Sequence, residues 1–251
     1  MSGTPDDHSV AAQLATGAGR LLVELRDKRA AEGVVGRALG NQGDRLAHLW
    51  LVEQLAELRP EDAVLSEEGV EDLARLRSSR VWIVDPLDGT REYGEVPRTD
   101  WAVHVALVID GRAEIGAVAL PARDLTLATH PAPVLPPAPA GPPRIVVSRS
   151  RPPLEASWIA RALDAEMVPL GSAGAKAMAV VLGDADIYAH SGGQYEWDSA
   201  APVAVARAAG LHVSRLDGSP LVYNQPDPYL PDLLICRPEL AGDVLHAILG
   251  G

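Results

Sequence analysis

Residues 82–90, WIVDPLDGT, end an apolar run on Asp85 and reach a second carboxylate, Asp88, three positions later, before Gly89 and Thr90. A carboxylate at the end of a buried strand must be exposed or paired, because an isolated buried charge is very costly. Pro86 biases Asp85 toward extended backbone and turns the chain at once, which can bring Asp88 back beside Asp85. Two carboxylates that close repel one another. A divalent cation relieves the repulsion, and hard oxygen donors suit magnesium. The Leu87 carbonyl can complete the turn as a ligand, and Gly89 and Thr90 can offer amide hydrogens to a phosphate at the start of a short helix. The plainer alternative is an acidic surface turn, for which Asp, Pro and Gly are the usual residues. The apolar run in front and the second acidic pair, Glu67-Glu68 after AVLS, favour the metal site.

Other hydrolytic chemistries fit less well. Phosphatases with an aspartyl nucleophile end their strand on D-x-D-G-T, whereas two residues, one of them proline, separate Asp85 from Asp88, so a covalent aspartyl-phosphate is not expected. No G-x-S-x-G occurs, and the single cysteine, Cys236, reads as a small apolar residue in DLLICR. One cysteine can form neither an intrachain disulfide nor a Cys-based zinc site. Twenty-two basic against 34 acidic residues leave a net charge of −12, which opposes salt-driven binding to a nucleic-acid backbone. An aromatic-rich basic face is also lacking. No apolar run approaches ~18 residues, and the polar start MSGTPDDHSV has no leader pattern, so a soluble cytoplasmic protein without a membrane partner is expected.

The elements that must position these residues are readable from periodicity. Leu14, Leu21, Leu22 and Leu25 within 10–29, and Leu46, Leu49, Leu51, Val52 and Leu55 within 44–58, predict two amphipathic helices, with GVVGRALGNQGD as a mobile loop between them. AVLSEE and RVWIVDPLDGT predict buried strands whose ends carry polar residues. WAVHVALVIDGRAEIGAVALPA predicts a hairpin turning at Asp110-Gly111, with His104 a face or core histidine rather than a ligand. HPAPVLPPAPAGPPR is too rich in proline for regular structure. It predicts an N-terminal lobe, 1–130, carrying the metal and phosphate site, a linker, 131–143, and a C-terminal lobe, 144–251, together one compact catalytic unit. RIVVS, EASWIARAL, AKAMAVVL, AAPVAVARAAG and PDLLICR then alternate strand and helix, which makes the expected class α/β in layers.

The motifs SEE at 66–68, DPLDGT at 85–90 and WDSAAP at 197–202, in that order across nearly the whole chain, strongly resemble the inositol monophosphatase superfamily of magnesium-dependent, lithium-sensitive phosphatases. The resemblance implies an αβαβα sandwich and two or three magnesium ions held by Glu67, Asp85, the Leu87 carbonyl, Asp88 and Asp198. It casts Thr90, paired with Asp44, as the holder of the attacking water, with Glu67 also orienting it. Asp44 stands in GNQGD, where many relatives carry a P-V-T-x-A-D-like lead-in. Taken by itself, Asp198 at the head of an Ala-rich stretch reads as a helix N-cap.

RIVVSRSRPP and GSAGAKAMAV are similar to segments of the 3′(2′),5′-bisphosphate nucleotidase branch. That likeness implies substrate contacts from Ser148, Arg151, Ser172 and Lys176, besides Gly89, Thr90 and Asp198 at the phosphate, with the basic groups receiving a second phosphate. Lys176 is one of only two lysines and lies in a small, apolar stretch; the alternative for it is a snorkelling stem. Inositol monophosphatases place a glutamate seven residues before the aspartate of Trp-Asp, and here that position is Ser191, which favours the nucleotidase. DGSPLVYNQ, with Tyr223 and Asn224, matches a closing segment that is structural or flanks a base. The activity implied is hydrolysis of the 3′-phosphate of adenosine 3′,5′-bisphosphate, or of its sulfated relative, by metal-activated water in sulfur assimilation. The alternatives are an inositol or fructose 1,6-bisphosphate phosphatase and a silent nucleotide-binding regulator; retention of every metal carboxylate weighs against the last. The expected partner is a small phosphorylated nucleotide or sugar, and homodimerisation is left open.

Overall fold

The structure, a computed structural model, describes residues 5–70 and 72–250; the first four residues of the acidic start lie outside them. Helices α1 (Asp7–Ala31) and α2 (Arg37–Leu58) are followed by strands β1 (Ala63–Ser66) and β2 (Arg80–Asp88), the short helix α3 (Thr90–Gly94), and β3 (Ala102–Ile109), β4 (Arg112–Leu120) and β5 (Leu125–Ala128). After a proline-rich stretch without regular structure come β6 (Arg144–Ser148), α4 (Leu154–Leu163), β7 (Glu166–Leu170), α5 (Ala173–Val181), β8 (Ile187–Tyr195), α6 (Glu196–Ala208), β9 (His212–Ser214), β10 (Tyr229–Cys236) and α7 (Ala241–Leu249). The strands form two five-stranded mixed sheets, ordered β1-β2-β3-β4-β5 and β7-β6-β8-β10-β9.

Strand β2 is apolar without a break from Val81 to Val84 because both of its faces are covered there. Trp82 and Val84 pack with Leu14, Leu22, Leu51 and Leu55 of α1 and α2, whereas Val81 and Ile83 point into a second core with Met178 of α5 and Val203 of α6. The second sheet is divided in the same way: Val146, Tyr188 and Ile235 join that shared core, and Ile145, Ile187, Leu234 and Cys236 face α4 and α7. The layers are therefore α1/α2, sheet, α5/α6, sheet, α4/α7, which is the αβαβα sandwich that the motifs imply. Asp110 and Gly111 both take positive φ, 48° and 78°, so the β3–β4 hairpin turns where the sequence places it.

One expectation fails. GVVGRALGNQGD is not a loop throughout, because α2 starts at Arg37 and runs unbroken through Gly40, Gly43 and Asp44. Its glycines serve close approach. A Cβ on Gly40 would lie 2.6 Å from Thr90 Cγ2, and one on Gly43 2.8 Å from the Tyr93 ring, so both keep α2 against α3. Strands β5, β7, β8 and β9 and helix α7 are not among the elements read from the sequence: β5, β7 and β9 are short and lie at sheet edges, where little apolar patterning is required, whereas β8 is central but its second half, HSGGQY, breaks the apolar run.

Candidate active site

The register of β2 against β3 explains why aspartates three apart act together. Asp85 pairs with His104 and Asp88 with Ala102, so β2 carries one residue more than its partner over this interval. That bulge at Pro86-Leu87 turns the odd spacing into the even one of residues on the same face. Strand β1 runs parallel to β2 with Ser66 opposite Val84, which delivers Glu67 beside Asp85. Helix α6 closes the group from the other sheet with Asp198. One carboxylate oxygen from each of Asp85, Asp88 and Asp198 lies within 4.8 Å of the others. Asp198 is not the N-cap expected of it: Tyr195 holds that place, and the Tyr195 amide donates to Asp198 Oδ2 at 2.7 Å from the third helical position.

Each carboxylate is oriented from behind. Asp85, 1% exposed, accepts from the Leu87 amide at 3.0 Å. Asp88, 6% exposed, accepts from the amides of Ala173 and Gly174 at 3.1 and 2.6 Å, at the N-terminus of α5. His104 is wholly buried, as a core histidine should be, yet it also serves the site. Its Nδ1 lies 3.0 Å from the Trp197 carbonyl and its Nε2 3.2 Å from Asp88 Oδ2. Burial would lower the pKa of the ring, but Asp88 and the Trp197 carbonyl raise it above the ordinary histidine value, and Nε2 meets Asp88 at ion-pair distance without an aligned hydrogen bond. A side chain at Gly174 would overlap that ring. The sequence signal that could have found this role is the alternation of β3, which directs His104 to the face shared with Ala102 and Ala106.

Electrostatics follow from the crowding. Asp85 is pushed well above the ordinary carboxylate range by burial, then by Glu67, Asp88 and Asp198. Burial and Asp88 raise Asp198 to about 7; burial with Glu68 does the same for Asp44. Glu67 stands at an exposed rim, yet its carboxyl is also raised to about 7, by desolvation and then by Asp44 and Asp88. Asp88 is the exception: burial alone would raise it, but His104, the Gly174 amide and Lys176 together hold it below its usual value.

Four carboxylates that keep protons longer in the folded than in the unfolded chain make a stability prediction. From about pH 4, where unfolded carboxylates ionise, to about pH 7 the folded state binds the extra protons, so the metal-free protein loses stability as pH rises. Asp88, shifted the other way, loses its contribution only in stronger acid. Melting temperatures in chelator should therefore fall from about pH 5 to about pH 8, and a divalent cation should flatten the trend. A rising profile in chelator would contradict the like-charge cluster.

The donor set fits a hard divalent cation: carboxylates converge without enough internal cations to neutralise them. Beside them, Thr90 Oγ1 lies 3.1 Å from the Leu87 carbonyl and 3.3 Å from Asp44 Oδ1. One hydroxyl proton has two acceptors to choose between. Gly89 precedes Thr90 with φ of 85°, and a Cβ there would meet Ser172 Cβ at 2.8 Å. Only glycine lets these two segments touch.

The substrate residues expected from the C-terminal half of the chain differ in availability. Ser172 is buried and caps α5 through the Ala175 amide. Lys176 neither snorkels nor projects freely. It is 4% exposed, donates to the Gly171 and Ser172 carbonyls, and lies 5.4 Å from the Tyr188 ring. Ser148 Oγ accepts from the Arg151 amide at 3.2 Å, and Arg151 is exposed. His190, not singled out from sequence, has its pKa lowered to about 4 by burial, then by Lys176 and Arg151. Ser191 donates to Glu155. Tyr223 and Asn224 are structural: Tyr223 is buried against Ser199, and Asn224 bonds Arg75 and Glu196.

A five-layer sandwich with carboxylates converging from the end of β2 and the start of α6 defines a class, and sequence comparison agrees with it: the profile of the inositol monophosphatase family matches residues 7–131 and 143–247, so the chain belongs to that family. Among curated relatives, "3'-phosphoadenosine 5'-phosphate phosphatase" of Mycobacterium leprae is 53% identical, covering 96% of this chain and 93% of the relative. "3'(2'),5'-bisphosphate nucleotidase CysQ" of Escherichia coli K12 is 31% identical over 87% of this chain and 94% of its own length. The solved CysQ from Bacteroides thetaiotaomicron superposes with a TM-score of 0.78 at 25% identity, covering 92% of this chain and 97% of that one. Inositol monophosphatase-II from Staphylococcus aureus gives a TM-score of 0.79 at 21% identity, covering 96% and 92%. Among the described residues no helix is long and apolar enough to cross a membrane.

Proposed function

We propose that this enzyme is a magnesium-dependent phosphatase that removes the 3′-phosphate of adenosine 3′,5′-bisphosphate, leaving 5′-AMP and phosphate. The observation that carries the chemistry is the convergence of Asp85, Asp88 and Asp198 beside the Thr90–Asp44 pair. The substrate is supported by the names of the relatives just given. Glu67, Asp85, the Leu87 carbonyl, Asp88 and Asp198 would hold two or three magnesium ions. Bound there, such ions supply the positive charge that activates water and screens the phosphate and leaving oxygens.

The chain's own residues do the rest. Thr90 receives a water proton on Oγ1 as it gives its own to Asp44. The Asp44 carboxyl, raised to about 7, is poised to take a proton near neutral pH. Glu67, close to Asp44 and Asp85, helps orient the water, and Gly89 leaves room for phosphate against the backbone. Arg151, exposed and forked, is suited to the 5′-phosphate. Lys176 acts from beneath, fixing the turn at 171–172 and lending charge to an acidic centre.

Comparing kcat/KM for adenosine 3′,5′-bisphosphate, inositol 1-phosphate and fructose 1,6-bisphosphate in magnesium tests this reading. A nucleotide preference of ~100-fold or more, about 2.7 kcal/mol in the transition state, is expected. Comparable values would make the enzyme a permissive sugar-phosphate phosphatase instead.

A further inference from the structure

The chain has five Trp, five Tyr and no Phe, and three of those ten rings, two exposed tyrosines and the half-buried Trp197, form one group at the entrance to α6. Tyr195 stacks on Trp197 with centroids 4.9 Å apart and planes 8° from parallel. Tyr229 meets Tyr195 edge to face at 5.8 Å and 83°. Tyr195 is 41% and Tyr229 42% exposed, although Tyr93, Tyr188 and Tyr223 are all buried.

This group is built and held. Tyr195 and Tyr229 are register partners at the end of the β8–β10 ladder. Gly192 and Gly193, both with positive φ (74° and 78°), lie where that ladder shifts register, and the Gly193 amide donates to the Tyr229 hydroxyl at 3.2 Å. The Tyr195 backbone amide donates to Asp198, one of the three converging carboxylates, so this residue is tied to the carboxylate centre through its main chain. Rigid aromatic surface left open beside a polar reaction centre is suited to the flat π face of a nucleobase.

We infer that Tyr195, backed by Trp197 and Tyr229, is the platform on which the purine of the substrate stacks, and hence a determinant of nucleotide over sugar phosphate. The inference rests on the nucleotidase reading above. A cross-strand aromatic pair can also act only to stabilise a sheet end. That purely structural role would lower stability and depress turnover of every substrate alike.

The test compares adenosine 3′,5′-bisphosphate with methyl riboside 3,5-bisphosphate, which differs by lacking the base, using wild type, Tyr195→Ala and Tyr195→Phe in magnesium. In Tyr195→Ala the ratio of the two kcat/KM values should fall about tenfold, equivalent to ~1.4 kcal/mol, through KM for the nucleotide. Tyr195→Phe should restore it. Should the alanine variant fail to fold, Tyr195→Leu, bulky but without a π face, carries the same expectation. A ratio unchanged in the variants, or no base preference in an active wild type, overturns the platform while leaving the nucleotidase reading intact. Failure of wild type to hydrolyse the nucleotide overturns that reading and the platform with it.

Discussion

Asp85→Asn is expected to lower kcat by about three orders of magnitude, roughly 4 kcal/mol of transition-state stabilisation, while raising the melting temperature of the metal-free protein. The two effects have one cause. Asp85 is almost wholly buried among Glu67, Asp88, Asp198 and Asp44, all of the same sign, and is pushed up by burial first. Without a cation its charge opposes folding; with one it is the central ligand. The amide keeps the shape and can still accept from the Leu87 amide, so the fold does not depend on the charge. Activity assays paired with thermal melts in chelator check both halves. A variant that keeps its turnover, or one that melts lower without metal, would contradict the role assigned to Asp85.

Thr90→Val should reduce kcat by about 100-fold with little change in KM, the scale of losing a positioned proton relay. Valine matches threonine in shape, so α2 and α3 remain in contact, but the bonds toward Asp44 and the Leu87 carbonyl disappear. Asp44→Asn removes the acceptor and should cost a similar factor. The double variant should be scarcely worse than either single one, because a relay fails as a unit. Steady-state kinetics of the three variants, with Thr90→Ser as the conservative control, decide the matter; additive losses would mean that the two residues act separately.

Much of this site was legible because its chemistry is local in the sequence. Asp85 and Asp88 share a strand end, and the proline between them marked the turn, although the bulge that puts them on one face emerged only from the register with β3. Glu67 was readable as an acidic strand end, and β1 pairing with β2 completed its placement. The glycines just ahead of Asp44 look like loop formers yet lie within α2. Gly40 and Gly43 lower helix propensity, and nothing local shows that the helix is repaid by contact with Thr90 and Tyr93. His104 sat in a pattern that called for a core residue, and its link to Asp88 needed the neighbouring strand. Asp198 looked like a cap because capping residues and metal ligands are the same short polar types. Lys176 was noticed for its rarity, but its turn back onto the Gly171 and Ser172 carbonyls is a tertiary outcome that composition does not contain.

The most direct measurement is product analysis after incubation with adenosine 3′,5′-bisphosphate, with magnesium and with chelator. The account predicts inorganic phosphate and 5′-AMP in equal amounts, formed only when magnesium is present. Release that persists in chelator, or 3′-AMP as the product, would contradict it.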